Sequence, residues 1–184
     1  MKTVVVYGQR PEKAARLVAA TLCQYGAVNV FLRESKVMAG NGVAEFSVVA
    51  ADRLERLMVP RSVLLLADQS APRRLEMADD TIVAACADNR RMARLMKGRA
   101  NPVVTCGTGV RDTLTLSSAT GERTILCVQR ALPTAVGEWI EPFEFAVRIA
   151  DCDMRSALLA AGTAAVCGCR LQDRITDIAP QLTV

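Results

Sequence analysis

Thr3-Val4-Val5-Val6-Tyr7-Gly8-Gln9-Arg10-Pro11-Glu12-Lys13 is the stretch on which the fold turns. Thr3 to Tyr7 is a continuous β-branched run, the pattern of a strand buried on both faces of a parallel sheet. Gly8-Gln9-Arg10-Pro11 is the turn. Pro11 suits a first helical position, where the N–H it lacks would have no helical partner. Ala14, Leu17, Val18, Leu22 and Cys23 then set one apolar face along a helix that reaches Tyr25 and ends at Gly26. Strand, turn and helix in this order open an α/β fold, and they gather backbone N–H groups where an anion can bind.

The pattern continues along the chain. Val28 to Leu32 reads as a second strand, Arg33 to Gly42 as a polar loop, and Ala44 to Ala50 as a third strand. Asp52 is placed to cap a short helix through Met58. Ser62 to Ala67 is the most apolar strand and ends in Asp68-Gln69-Ser70. Thr81 to Ala85 follows, then Cys86-Ala87-Asp88-Asn89, a basic amphipathic helix from Arg90 to Lys97, and a strand from Pro102 to Thr105 that runs into Cys106-Gly107-Thr108-Gly109. Beyond this the pattern changes. Thr113 to Ser117, Thr124 to Gln129 and Phe143 to Ile149 are strand-like runs separated by turns at Thr120-Gly121-Glu122 and Thr134 to Gly137, which implies an antiparallel meander. Asp153 caps a long helix, Met154 to Val166, and Leu171, Ile175 and Ile178 suggest a last short one. The expected fold is α/β: a mostly parallel, Rossmann-like or P-loop-like three-layer sheet with a small three-stranded antiparallel extension. One domain spans 1–184, with the parallel part at 1–110, the extension at 111–150 and C-terminal helices at 151–184.

Composition narrows the function. Of 184 residues, 51% are hydrophobic and 23% charged, enough apolar material for a large core. The net charge of +4 is too mild to call for nucleic acid. Histidine is absent, which excludes His-dependent triads and His-ligated zinc. No apolar run approaches the ~20 residues that span a bilayer, and the N-terminus does not read as a signal peptide. A cytoplasmic protein without membrane contact is expected. The seven cysteines are odd in number and contain no Cys-x-x-Cys pair, so neither a disulfide framework nor a zinc site is indicated. Cys23, Cys86 and Cys127 lie in apolar runs as small hydrophobes. Cys167-Gly168-Cys169 reads as a helix end with Gly168 as its cap.

Ligands of an open parallel sheet gather at the carboxyl ends of its strands. Gly8, Arg10, Lys13, Asp68, Ser70, Asp88, Asn89 and Gly107 are therefore the candidate anion- or nucleotide-binding residues. No catalytic and no metal-ligating residue stands out. A working P-loop reads G-x-x-x-x-G-K-[ST]. Here Pro11 removes an N–H, Glu12 brings negative charge and Ala14 has no hydroxyl for Mg²⁺. Asp68 stands where a Walker-B carboxylate would hold the metal, or else serves as a local turn residue. Cys106 is either a thiol within a ring of N–H groups or a core residue. Arg90, Arg91, Arg94, Lys97 and Arg99 read as a solvated helix face, and Trp139 as an anchor or an exposed interface residue.

In this order the residues resemble a reduced central ATPase domain of the Mur ligase family. That domain opens with an apolar strand, a G-T-x-G-K-[ST]-[ST] loop and a helix. Val4-Val5-Val6-Tyr7-Gly8 and Ala14 to Leu22 hold those places here. Leu64-Leu65-Leu66-Ala67-Asp68-Gln69-Ser70 is similar to the family's strand ending in Glu-x-Ser, whose Glu is a metal ligand, with Asp for Glu. Cys86-Ala87-Asp88-Asn89, the basic helix and Val103-Val104-Thr105-Cys106-Gly107 resemble its Asn-Ala-Asp-Asp segment, helix and following strand. The departures are the lost Gly-Lys-Thr core, no His after Ser70, a short stretch before Asp68 and no room for the family's C-terminal domain.

The resemblance and its departures imply a non-catalytic, Mur-ligase-like binding or interaction module, possible ties to cell-wall metabolism included. It would have no cofactor beyond a weakly held nucleotide or anion, and a second copy or another protein as partner. The alternative is a nucleotide- or sugar-nucleotide-binding enzyme working through Arg10, Lys13, Asp68, Asp88 and Asn89. The cysteine pattern yields a direct test. Protein alkylated without reductant and then unfolded should show seven modified thiols by mass spectrometry, and two or more intramolecular disulfides in fresh cytosolic material would contradict the reading.

Overall fold

A computed structural model describes residues 1–120 and 123–181. β1 (Lys2–Tyr7) leads into α1 (Pro11–Cys23), followed by β2 (Val28–Phe31), β3 (Lys36–Ala39) and β4 (Phe46–Ala51). Next come β5 (Arg56–Leu57), β6 (Val63–Leu66), β7 (Glu76–Met77), β8 (Ile82–Cys86), α2 (Arg90–Met96) and β9 (Val103–Cys106). The second half holds β10 (Leu114–Thr120), β11 (Arg123–Val128), β12 (Leu132–Pro133), β13 (Trp139–Ile140) and β14 (Phe143–Ile149). α3 (Met154–Val166), a 3₁₀ turn at Leu171–Asp173 and β15 (Thr176–Ile178) close the chain.

Among the described residues one sheet of eleven strands runs in the order β15-β14-β11-β10-β9-β8-β6-β1-β4-β2-β3. β1 lies between β4 and β6 and is parallel to both. β2, β8 and β9 continue the parallel part, and β9 meets β10 in parallel at Cys106 and Leu114. Only β3 and β11 run against the rest. The antiparallel β10-β11-β14 section is thus an extension of the main sheet, sharing its edge at β9.

The valine run is buried on both faces. Val4 and Val6 pack into the cluster beneath α1 and α3, whereas Val5 faces Leu57, Leu75, Met77 and Met92 on the other side. The three layers are therefore α1 with α3, the sheet, and a thinner cover of α2 with the β5–β7 pair. α3 lies close against its neighbours because its buried face is made of Ala160, Ala161, Gly162, Ala164 and Ala165. A Cβ at Gly162 would stand only 2.7 Å from the Cys106 sulfur. At the far end Gly168 adopts a φ of +76°. The Gly168 N–H donates to Ala165 O at 2.8 Å and the Cys169 N–H to Ala164 O at 3.0 Å, a Schellman cap. Cys167 and Cys169 are buried on either side of it, and all seven cysteines are free thiols.

Several elements differ from the sequence reading. Within the expected Arg33–Gly42 loop, β3 pairs antiparallel with β2. It is an edge strand with Lys36 and Met38 exposed, so it lacks the apolar signal of an inner strand. Asp52 to Met58 is not helical. Its Leu57 is buried with Leu75 and Met77, and the parallel β5–β7 pairing supplies its backbone partners. The connection from β4 to β6 accordingly lacks the expected helix. The last expected helix is a 3₁₀ turn and a strand: β15 pairs with β14, and Arg148 bridges to Asp177 at 2.7 Å. The expected turn at Thr120-Gly121-Glu122 lies partly outside the described residues, as do residues 182–184. No helix among the described residues is long and apolar enough to cross a membrane.

Gly162→Ala provides a test of the α3 packing. The helix itself gains about 1 kcal/mol of propensity, yet the clash with Cys106 should leave a net loss of about 1–3 kcal/mol in urea unfolding. In a Cys106→Ala background the sulfur is gone and the same substitution should become neutral or stabilising.

Candidate functional site at the strand carboxyl ends

β1 and β6 are neighbours, so the Gly8 turn and Asp68 meet at one rim. The Gln9 N–H donates to Asp68 Oδ2 at 2.8 Å. The Ser70 N–H donates to Oδ1 at 2.7 Å, and the Ser70 hydroxyl donates to the same oxygen. A Cβ on Gly8 would sit 3.0 Å from Asp68 Oδ2. The turn that could face an anion thus faces the chain's own carboxylate. Burial pushes the Asp68 carboxyl up, but the Ser70 hydroxyl and the Gln9 and Ser70 N–H groups outweigh it, and it titrates below the usual carboxylate range.

The other candidates from the parallel strands are tied into the same network. Asn89 is 1% exposed. Its Oδ1 caps α2 by accepting the Arg91 and Met92 N–H groups at 3.0 and 2.9 Å. Its Nδ2 donates to the carbonyl oxygens of Asp68 and Ser70 at 2.9 and 3.3 Å. Gln69 donates to Asp88 Oδ1 at 2.9 Å, and Arg155, in the first turn of α3, donates to Asp88 Oδ2 at 2.8 Å. The Gln69 hydrogen bond holds the Asp88 carboxyl below its ordinary value; burial opposes it, and the Arg155 hydrogen bond and charge add to the lowering.

Gly107 repeats the arrangement at β9. The Gly109 N–H donates to Asp112 Oδ2 at 2.8 Å, and a Cβ on Gly107 would collide with that oxygen at 2.4 Å. Asp112 is only 5% exposed. Cys106 beneath it is buried, and burial pushes its thiol far above the ordinary range, the opposite of an activated nucleophile. Asp68, Ser70, Asp88 and Asn89 are brought together. Gly107 belongs to a separate turn beside them.

Arg10 and Lys13 stand apart from the network. They line a cleft of about 330 Å³ whose opposite wall is Cys152, Asp153 and Ser156 at the start of α3. Neither makes an ion pair among the described residues. Asp153 is engaged with its own helix: its Oδ1 accepts the Ser156 N–H at 2.9 Å and its Oδ2 the Ser156 hydroxyl at 2.7 Å. Among the described residues no group of three or more His, Cys, Asp or Glu comes together as a metal site.

Sequence reasoning missed Gln69, Asp112 and Arg155 as members of the rim. Asp112 had a local signal, a carboxylate three residues after Gly109. Arg155 had none, because 67 positions separate it from Asp88 and only the return of α3 across the sheet joins them.

No family model and no curated protein matches the chain. Solved structures do match. A murein peptide ligase from Psychrobacter arcticus superposes with a TM-score of 0.60 at 11% identity, over 93% of this chain and 45% of the ligase. The UDP-N-acetylmuramate:L-alanyl-gamma-D-glutamyl-meso-diaminopimelate ligase from Neisseria meningitides gives 0.58 at 13% identity, over 94% of this chain and 62% of that one. This is the fold of a Mur-ligase-like central domain. The MurF ligase from Thermotoga maritima, solved with ADP, gives 0.51 at 11% identity over the whole of this chain and 48% of its own. The chain spans between 45% and 62% of the length of these ligases.

Asp68→Asn tests the carboxylate in the Gly8 turn. Replacing a charged acceptor of three donors should cost about 1.5–3 kcal/mol in denaturant unfolding near neutral pH. The folded carboxyl titrates below its unfolded value of about 3.9, so its stabilisation is complete above that pH and is lost as pH falls through the folded pKa. The acid limb of the stability profile should flatten in the variant.

Proposed function

We propose that the chain is a non-catalytic, Mur-ligase-like domain that acts as a binding or interaction module in peptidoglycan metabolism. The observation that carries this reading is the Asp68 carboxylate seated at the Gln9 N–H, in the turn where a P-loop would receive phosphate. A phosphate entering there would have to displace a bound anion and would meet its charge. Pro11 removes one donor from the loop, Glu12 adds negative charge, and Ala14 offers no hydroxyl to Mg²⁺. The link to peptidoglycan rests on the shared fold with ligases of that pathway and is an analogy of architecture. A protein partner or a second copy is part of the proposal, with Trp139, 67% exposed on β13, as a contact residue. No tightly bound cofactor belongs to it.

A second reading, an enzyme of nucleotides or sugar nucleotides, draws on one observation. Arg10 and Lys13 face a cleft with no carboxylate paired to either. Calorimetry with Mg-ATP, ADP and a UDP-sugar on the full chain and on Lys13→Ala separates the two. The expected result is no Lys13-dependent binding and no ATP hydrolysis or amide ligation. Losing several charge-assisted contacts at ~1.5–3 kcal/mol each moves affinity out of the micromolar range. Micromolar Mg-ATP binding that Lys13→Ala abolishes would overturn the non-catalytic reading in favour of the second.

A further inference from the structure

A cleft of about 1200 Å³ lies on the opposite face of the sheet from the Lys13 cleft. Its floor is Tyr7, Leu54, Leu75, Met77 and Leu95, all from the cluster under α2 and the β5–β7 pair. Arg53 reaches it from the segment after β4, Arg73 and Arg74 from the segment after β6, and Arg94 and Arg99 from α2 and its exit. A recess of about 400 Å³ shares Arg73, Arg94 and Leu95 with it and adds Arg91.

The charge of this groove is not balanced from within. Three carboxylates line it, Asp52, Glu55 and Glu76. Two of them are engaged by arginines that stand outside it: Asp52 by Arg33 at 3.7 Å and Glu76 by Arg56 at 2.9 Å. Arg53, Arg73, Arg74, Arg91 and Arg94 make no ion pair among the described residues, which leaves Glu55 as the one lining carboxylate not already engaged. Arg99 is held in place, donating to Leu75 O at 2.6 Å and Leu95 O at 3.0 Å, and it pins the segment after β6 to α2. The result is a concave site with an apolar floor and guanidinium groups supplied by three chain segments.

We infer that this groove binds an organic diphosphate, a molecule with an apolar or aromatic body carrying two linked phosphates. Guanidinium forks match phosphate oxygens two at a time. Arginines arriving from three separate segments suit more than one anionic group. The floor of Tyr7 and leucines offers the body a surface that inorganic phosphate would not use. The inference goes beyond the function proposed above and involves none of the residues of the Gly8 turn.

Calorimetry on the full chain with ADP, a short prenyl diphosphate and inorganic pyrophosphate tests it. At least one organic diphosphate should bind more tightly than pyrophosphate, and the better of the two identifies the body as nucleoside or prenyl. The Arg73→Gln/Arg94→Gln variant should weaken that binding roughly 10- to 100-fold. Both side chains are exposed, so the fold should survive, and circular dichroism checks it. Arg74→Gln alone provides a milder second variant and should also weaken binding. Lys13→Ala should leave the affinity unchanged. Absence of binding at millimolar concentration, equal affinity for pyrophosphate, or full binding in the arginine variants would overturn the inference. Loss in Lys13→Ala would place the ligand in the other cleft, so this inference and the non-catalytic reading fail on different results.

Discussion

The carboxylate of Asp68 at the mouth of the Gly8 turn is the contact on which the functional rim depends. It joins the ends of β1 and β6, the middle pair of the parallel run from β9 to β2, through the Gln9 N–H, and it orders its own turn through Ser70. Asn89 then fixes the following turn by donating to Asp68 O while capping α2. Asp88, one residue earlier, accepts from Gln69 and from Arg155 of α3. Four chain segments are held together by polar groups that, in an anion-binding site, would be turned towards a ligand. A network satisfied from within is rigid, and opening it exposes donors that have nothing else to bind.

The same device appears twice. Asp112 closes the Gly107–Gly109 turn as Asp68 closes the Gly8 turn. In both places a glycine at a strand end leaves room that a Cβ would fill, and in both places a carboxylate takes the room. The cations of the chain are distributed otherwise. Arg10 and Lys13 remain beside the first turn, while a larger number of arginines converge on the opposite face, where two of the three lining carboxylates are already matched. Arginines without an ion pair are therefore more numerous in the groove on the opposite face than at the strand carboxyl ends, where the fold's architecture alone would place an anion.

The opening strand, its turn and α1 were legible from the residues, because a β-branched run followed by Pro11 and an apolar helical face admits one local solution. The caps were legible for the same reason. Asp153 and Gly168 act within a few residues of their own helix, and both do what their positions imply. What could not be read were elements held by distant partners. β3 is a polar edge strand paired with β2, β5 is extended because β7 is beside it, and β15 is a strand because β14 receives it. Short segments such as these have weak local preferences, and the neighbour decides.

The sequence by itself determined the fold class and the set of polar residues at the strand ends, since periodicity, glycine and proline act locally. It also carried the likeness to Mur ligases. Only the tertiary structure decided what those polar residues do. Whether Asp68 would hold a metal or fill its own turn depends on how close β1 and β6 bring it to Gln9, 59 positions away. The pairing of Asp88 with Arg155 and the gathering of arginines over Tyr7 likewise depend on contacts between segments far apart in the chain. Those contacts are set by packing across the sheet, and no local pattern of residues encodes them.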